Sequence, residues 1–68
     1  MNLSLRQAIL LRVHDKSSEE LLNVIDDSID GDERALPGLG VLFEIIWKHS
    51  NENTQQELAS TLKDHLTH

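Results

Sequence analysis

Apolar positions recur along the chain in four blocks, each with helical rather than alternating spacing. In the first, Leu5, Ala8, Ile9 and Val13 share one helical face. Ser4 with Gln7 three residues later supplies a capping box, in which the hydroxyl accepts an orphan N–H and the amide side chain reaches back. Leu10 and Leu11 fall off that stripe, so this helix is either wrapped on two sides or exposes an apolar edge. Loop chemistry in His14–Asp15–Lys16–Ser17 predicts its end near His14.

The second block sets Leu21, Leu22, Ile25 and Ile29 along one helical face, with steps of three and four residues between Leu22, Ile25 and Ile29. Glu19, Glu20, Asn23, Asp26, Asp27 and Asp30 take the opposite face. Ser17 and Glu20 form a second capping box, and Gly31 is expected to stop the helix in a left-handed conformation. The fourth block places Leu58, Ala59, Leu62 and Leu66 on one face, with a predicted start near Asn53 and Gln56 in the capping-box position.

The third block is different. Leu36–Trp47, "LPGLGVLFEIIW", is almost unbroken in its apolarity, and Glu44 alone interrupts it. Pro37 suits the first turn of a new helix. Density of this kind fits a buried strand as well as a buried helix. Helix is preferred because Glu44 and Lys48 stand four apart and the neighbouring segments are helical. A helix apolar nearly all round is expected to be central, with Val41, Leu42, Phe43, Ile45, Ile46 and Trp47 supplying most of the buried surface. The resulting expectation is an all-α fold: residues 1–68 as a single small domain of four short helices packed around a central apolar third helix.

Length and composition narrow the chemistry. The chain has 68 residues and no cysteine, so no disulfide or thiolate metal site can reinforce a small core. Net charge is −6, the wrong sign for a protein that binds the phosphate backbone of duplex DNA. That charge is uneven: residues 1–16 carry Arg6, Arg12 and Lys16 against Asp15, while the acids cluster beyond. Two readings follow: the first helix packs beside an acidic one, or it presents a small basic docking face. No secretory signal is recognisable, since Arg6 and Arg12 interrupt the N-terminal apolar stretch. The apolar run is too short for a bilayer, which needs ~20 residues. The chain therefore reads as soluble and intracellular, with no membrane partner.

Each candidate site has a plainer role beside the chemical one. Asp26, Ser28, Asp30 and Gly31 match the first half of a calcium-binding loop, but Pro37 stands where the bidentate glutamate should be. A solvated acidic face is the better reading. Gly38 and Gly40 resemble a phosphate loop only in part: Phe43 occupies the position of the third glycine, and no Gly–Lys pair follows. They are expected to set the turn into the third helix and to let another backbone approach. His65 and His68 could share a metal, but two ligands do not make a structural site. His14 and His49 fall at helix ends. Ser4, Ser17, Ser18, Ser28 and Ser50 all have capping or surface roles, and no His–Asp pair accompanies them. No catalytic, cofactor-binding or metal residue is assigned; the expectation is a protein that is not an enzyme and has no cofactor.

The segment Leu36–Trp47, with "LRQAI" at Leu5–Ile9, resembles the I-type small acid-soluble spore proteins of Bacillus-like bacteria. The acidic second helix and polar fourth helix are similar too, so the likeness covers the whole chain. It implies a minor protein of the dormant spore core, made in the forespore (hence a forespore-cytoplasm localisation) during sporulation. It implies no activity and no site residue. The DNA-coating spore proteins belong to a different family, whose protease-site segment has no match here, so DNA protection does not transfer. The family name has a physical counterpart. Below about pH 2 every carboxylate is protonated. Six Lys and Arg, four His and an amino terminus then make the chain strongly cationic, and mutual repulsion keeps it dissolved. The alternative function is a small helical protein–protein interaction adaptor, with an acidic DNA mimic third. An unidentified protein partner, or a weak homodimer, is expected on whichever side of the third helix its own chain leaves open.

Overall fold

The computed structural model describes residues 4–66, which form four α-helices and one 3-10 turn. They are α1 (Leu5–Val13), α2 (Ser18–Ser28), the 3-10 turn Glu33–Ala35, α3 (Leu36–Lys48) and α4 (Glu52–Leu66). No strand occurs among the described residues. The fold is a small all-α domain.

Local side-chain chemistry starts the first two helices where it was expected to. Ser4 Oγ accepts from Gln7 N at 3.1 Å, and Gln7 Oε1 accepts from Ser4 N at 2.9 Å. Ser17 and Glu20 repeat the reciprocal box at 3.2 and 3.0 Å. His14 caps α1, as its position predicted. The end of α2 differs. Gly31 does not take the left-handed conformation; Asp30 does, at φ 57°. Gly31 is needed for a different reason. A Cβ there would lie 3.3 Å from the Asp27 carbonyl oxygen and 3.5 Å from that of Ser28, against the last turn of the helix.

The entry to α3 is a tight relay. Asp32 Oδ1 accepts from the backbone N–H of Arg34 at 2.8 Å, and the Arg34 guanidinium returns to the same carboxylate. The 3-10 turn then runs straight into α3, where Pro37 costs nothing because its missing N–H would have had no helical acceptor. Gly38 and Gly40 therefore do not set this turn. Both lie inside α3 with negative φ, and nothing lies within 4 Å of where either Cβ would be. The start of α4 also shifts from the expected position. Asn51, not Asn53, is the cap: its Oδ1 accepts from Thr54 N at 2.8 Å.

α1, α2 and the 3-10 turn all pack on α3. Its apolar side chains are not all buried, however. Among the described residues only Val41, 8% exposed, is buried. Leu42 is half-buried, while Phe43, Ile45, Ile46 and Trp47 are exposed. Half-buried Ala8, Ile9 and Val13 from α1 and Leu21, Val24 and Ile25 from α2 complete the packed region. On α2 the packed stripe is Leu21, Val24, Ile25 and Ser28; Leu22 and Ile29 face solvent. Leu5, Leu10 and Leu11 are exposed on α1. The radius of gyration, 13.6 Å, exceeds the roughly 11 Å of a compact chain of this length. The cause is α4, which does not pack on α1 or α2 as they pack on α3.

Candidate functional site

Glu44, the lone break in the apolar run, finds its partner far away in sequence. The Arg6 guanidinium straddles it, Nε donating to Oε1 at 2.8 Å and Nη2 to Oε2 at 2.7 Å. This two-pronged geometry is the orienting form of an ion pair. The hydrogen bond from Arg6 holds the Glu44 carboxyl below its ordinary pKa, and the same bond raises that of Arg6. Both groups remain open to solvent. The pair is a surface strut that fixes where α1 lies along α3, more than a large source of stability. The expected Glu44–Lys48 pairing is not the one formed, and α1 packs chiefly on the apolar α3, with Ile9 and Val13 facing Val24 and Ser28 of the acidic α2 across a small gap. Of the basic residues of α1, Arg6 is committed to this strut.

On the side of Glu44 away from the packed region, α3 and α4 diverge and leave an open cleft. Its volume is about 700 Å³, and it is lined by Phe43, Glu44, Trp47 and Lys48 from α3 and by Leu58, Ala59, Thr61 and Leu62 from α4. The lining is overwhelmingly apolar. Phe43 and Trp47, one helical turn apart, have ring centroids 5.7 Å apart with planes tilted by 39°. They are 48% and 36% exposed, and Leu62 across the cleft is 59% exposed. Leu58 is half-buried.

The corner between the two helices is firmly tied. Ser50 Oγ donates to Ile46 O at 2.6 Å, and His49 Nδ1 lies 2.9 Å from Ile45 O. Gln55 Nε2 crosses from α4 to Trp47 O at 2.8 Å. Two of the polar groups on the rim are also engaged. Glu44 is held by Arg6, and Thr61 Oγ1 donates to Glu57 O at 2.9 Å. The arrangement offers apolar contact area with Glu44 and Thr61 already hydrogen-bonded at its edge. It brings together no nucleophile with a base.

The other sequence candidates stay apart. Ser28 Oγ donates back to Val24 O at 2.8 Å, and no cluster of three or more potential metal ligands occurs among the described residues. His65 Nδ1 lies 2.7 Å from Thr61 O within its own helix, and His68 lies outside the described residues. No described helix is long and apolar enough to cross a membrane. The sequence pattern allows an open side on α3 but does not say which side, and the α4 wall of the cleft carries no signal of its own.

A family profile described as "Small, acid-soluble spore protein I" matches residues 3–66. The chain belongs to that family. Relatives carrying the same description include one from Bacillus licheniformis, 48% identical over 97% of this chain and 96% of its own length. Another, from Bacillus subtilis, is 45% identical over 97% of this chain and 94% of its own length. A third, from Bacillus mycoides, is 46% identical over 97% of both chains. No solved structure matches. Membership of the type I family agrees with the resemblance carried by Leu36–Trp47, and in this fold that segment supplies both the packed centre and one wall of the cleft.

Proposed function

We propose that this chain is a non-enzymatic protein of the dormant spore core, made in the forespore during sporulation, that works by association rather than by chemistry. The observation that carries the cellular setting is membership of the type I small, acid-soluble spore protein family along nearly the whole chain. The observation that supports association is the aromatic-lined cleft between α3 and α4, in which Glu44 and Thr61 are already hydrogen-bonded. Exposed apolar area of this kind on a small protein is the usual mark of an interaction surface. Duplex DNA is not the expected target, because the chain carries −6 and a backbone binder needs cations.

The test is expression and location. A fluorescent fusion at the native locus should light up only in the forespore, and the protein should appear in dilute-acid extracts of disrupted dormant spores. Expression in growing cells, or recovery from the coat fraction alone, would refute the assignment. The adaptor reading, in which the cleft docks a different protein, rests on the same cleft and becomes the better one if vegetative expression is found.

A further inference from the structure

We infer that the cleft between α3 and α4 is filled by a second copy of this chain, so that the protein is a twofold dimer through its last two helices. The inference begins with surface area. The chain exposes 6075 Å². A compact monomer of 7.7 kDa should expose only about 4,300 Å². The excess is roughly 1,700 Å² per chain, while a stable interface needs about 800 Å² from each partner. The surplus is therefore large enough for a dimer, and a chain with one buried side chain among its described residues has reason to use it.

Exposed apolar side chains lie on all four helices, and one set of them forms a continuous surface across α3 and α4. Leu36, Phe43 and Trp47 follow one stripe of α3 with Gly40 between them, and all are exposed. The stripe continues into the cleft, where Leu58, Ala59 and Leu62 form the opposite wall. Nothing lies within 4 Å of a Cβ built on Gly40, so a partner helix can approach the α3 backbone there more closely than over any other residue of the stripe. A twofold axis needs only one self-complementary patch, and an apolar V-shaped cleft can receive the ridge of its own copy.

Charge favours a second copy over a basic partner. The whole chain is acidic, but the cleft lining is not: Glu44 is neutralised by Arg6, and Lys48 adds a cation. A basic protein would be drawn to the acidic outer face of α2 and would find in the cleft only the Glu44 carboxylate, already held by Arg6. Two acidic copies repel each other overall, and that repulsion is screened over about 8 Å at physiological salt. Association should therefore strengthen between low and physiological salt.

Sedimentation equilibrium of the full chain across a hundredfold concentration range, at both salt levels, tests this together with Trp47 emission. The expected result is a mass rising from 7.7 kDa to about 15.4 kDa, with Trp47 emission moving to shorter wavelength over the same range. Leu62→Glu should weaken the dimer at least tenfold while keeping the helical circular dichroism, because Leu62 is solvent-exposed in one chain. Leu11→Glu, an equally exposed leucine away from the cleft, should leave association unchanged. A constant mass of 7.7 kDa would overturn the inference. If Trp47 is then already shielded, α4 closes on α3 within one chain; if it becomes shielded only when spore extract is added, a different partner occupies the cleft. A dimer sensitive to Leu11→Glu but not Leu62→Glu, or a mass beyond two copies, would overturn it as well. These measurements use the pure chain, so they stand or fall independently of where the protein is expressed.

Discussion

Two glycines inside α3 should be replaceable by alanine with a gain in stability. Gly38 and Gly40 occupy the third and fifth positions of the helix, have negative φ, and have open space where a Cβ would go. Glycine in a helix interior is about 0.8–1 kcal/mol less favourable than alanine, because it gives up more backbone freedom on folding. Gly40→Ala should recover most of that. Gly38→Ala, in the first turn where helical constraint is weaker, should recover about half. For a domain this small, 1 kcal/mol moves the melting midpoint by about 4–8 °C. The assay is thermal melting by far-ultraviolet circular dichroism, at protein concentrations low enough for the chain to be monomeric. Gly31→Ala serves as the contrast. Its Cβ would sit 3.3 Å from the Asp27 carbonyl oxygen, so no gain is expected. A fall in midpoint for Gly40→Ala in dilute solution would show that its environment in the single chain is crowded, and the placement of α3 would be wrong. At high concentration the dimer adds an opposing effect: a methyl group at Gly40 should weaken association, whereas one at Gly38, on the packed side of the helix, should not.

Three further outcomes are expected. Val41→Asp should unfold the domain, since it leaves a charge without a partner at the one buried position among the described residues, at a cost of several kcal/mol; Leu42→Asp, half-buried, should cost less, and retention of wild-type helicity by Val41→Asp would contradict the packing described. Glu44, Glu20 and Asp32 have lowered pKa values, caused respectively by the Arg6 hydrogen bond, the Ser17 backbone N–H and the Arg34 side chain. Their contribution to stability is thus present above the ordinary carboxylate range and lost as pH falls through the depressed values; an acid titration of Glu44→Gln should show a shallower loss of helicity than wild type, and identical curves would refute the strut. Duplex DNA should not be retarded by sub-micromolar protein at physiological salt, and a persistent shift in a gel assay would refute the charge argument.

What could be read from sequence was whatever rests on neighbours a few residues apart. The capping boxes at Ser4 and Ser17 are i to i+3 chemistry, and the helix after the 3-10 turn is marked by Pro37. The α4 cap went to the wrong asparagine because Asn53 has glutamine three residues on and Asn51 has threonine. The backbone accepts either oxygen, and the structure uses the earlier one. At the end of α2, Asp30 tolerates the left-handed conformation, while Gly31 is placed where its lack of a Cβ relieves a contact with the preceding turn. Two features were not legible at all. The Arg6–Glu44 strut joins residues 38 apart, and no local pattern encodes it. The exposure of Phe43 and Trp47 depends on how much helix the chain has to cover them with. Hydrophobic periodicity identifies apolar faces but does not count the partners available to each.

The single acid in Leu36–Trp47 brings these features together. An uninterrupted apolar helix specifies the rotation and register of the helices packed on it less sharply than one carrying a single paired charge. Glu44, gripped from two sides by Arg6, gives α1 one place to sit and therefore assigns the opposite stripe of α3 to the cleft. It also forms the polar margin of that cleft, next to Phe43 and Trp47. When the carboxylate is protonated, the strut is lost together with the charge-assisted part of the Ser17–Glu20 and Asp32–Arg34 bonds. At the same pH the acids are neutral and the basic side chains give every chain a large positive charge. Loosening of the fold would ordinarily invite aggregation through the exposed aromatic stripe, yet the charge that accompanies it keeps the chains apart. Protonation should thus leave a cationic chain whose mutual repulsion opposes aggregation even as its tertiary tie loosens.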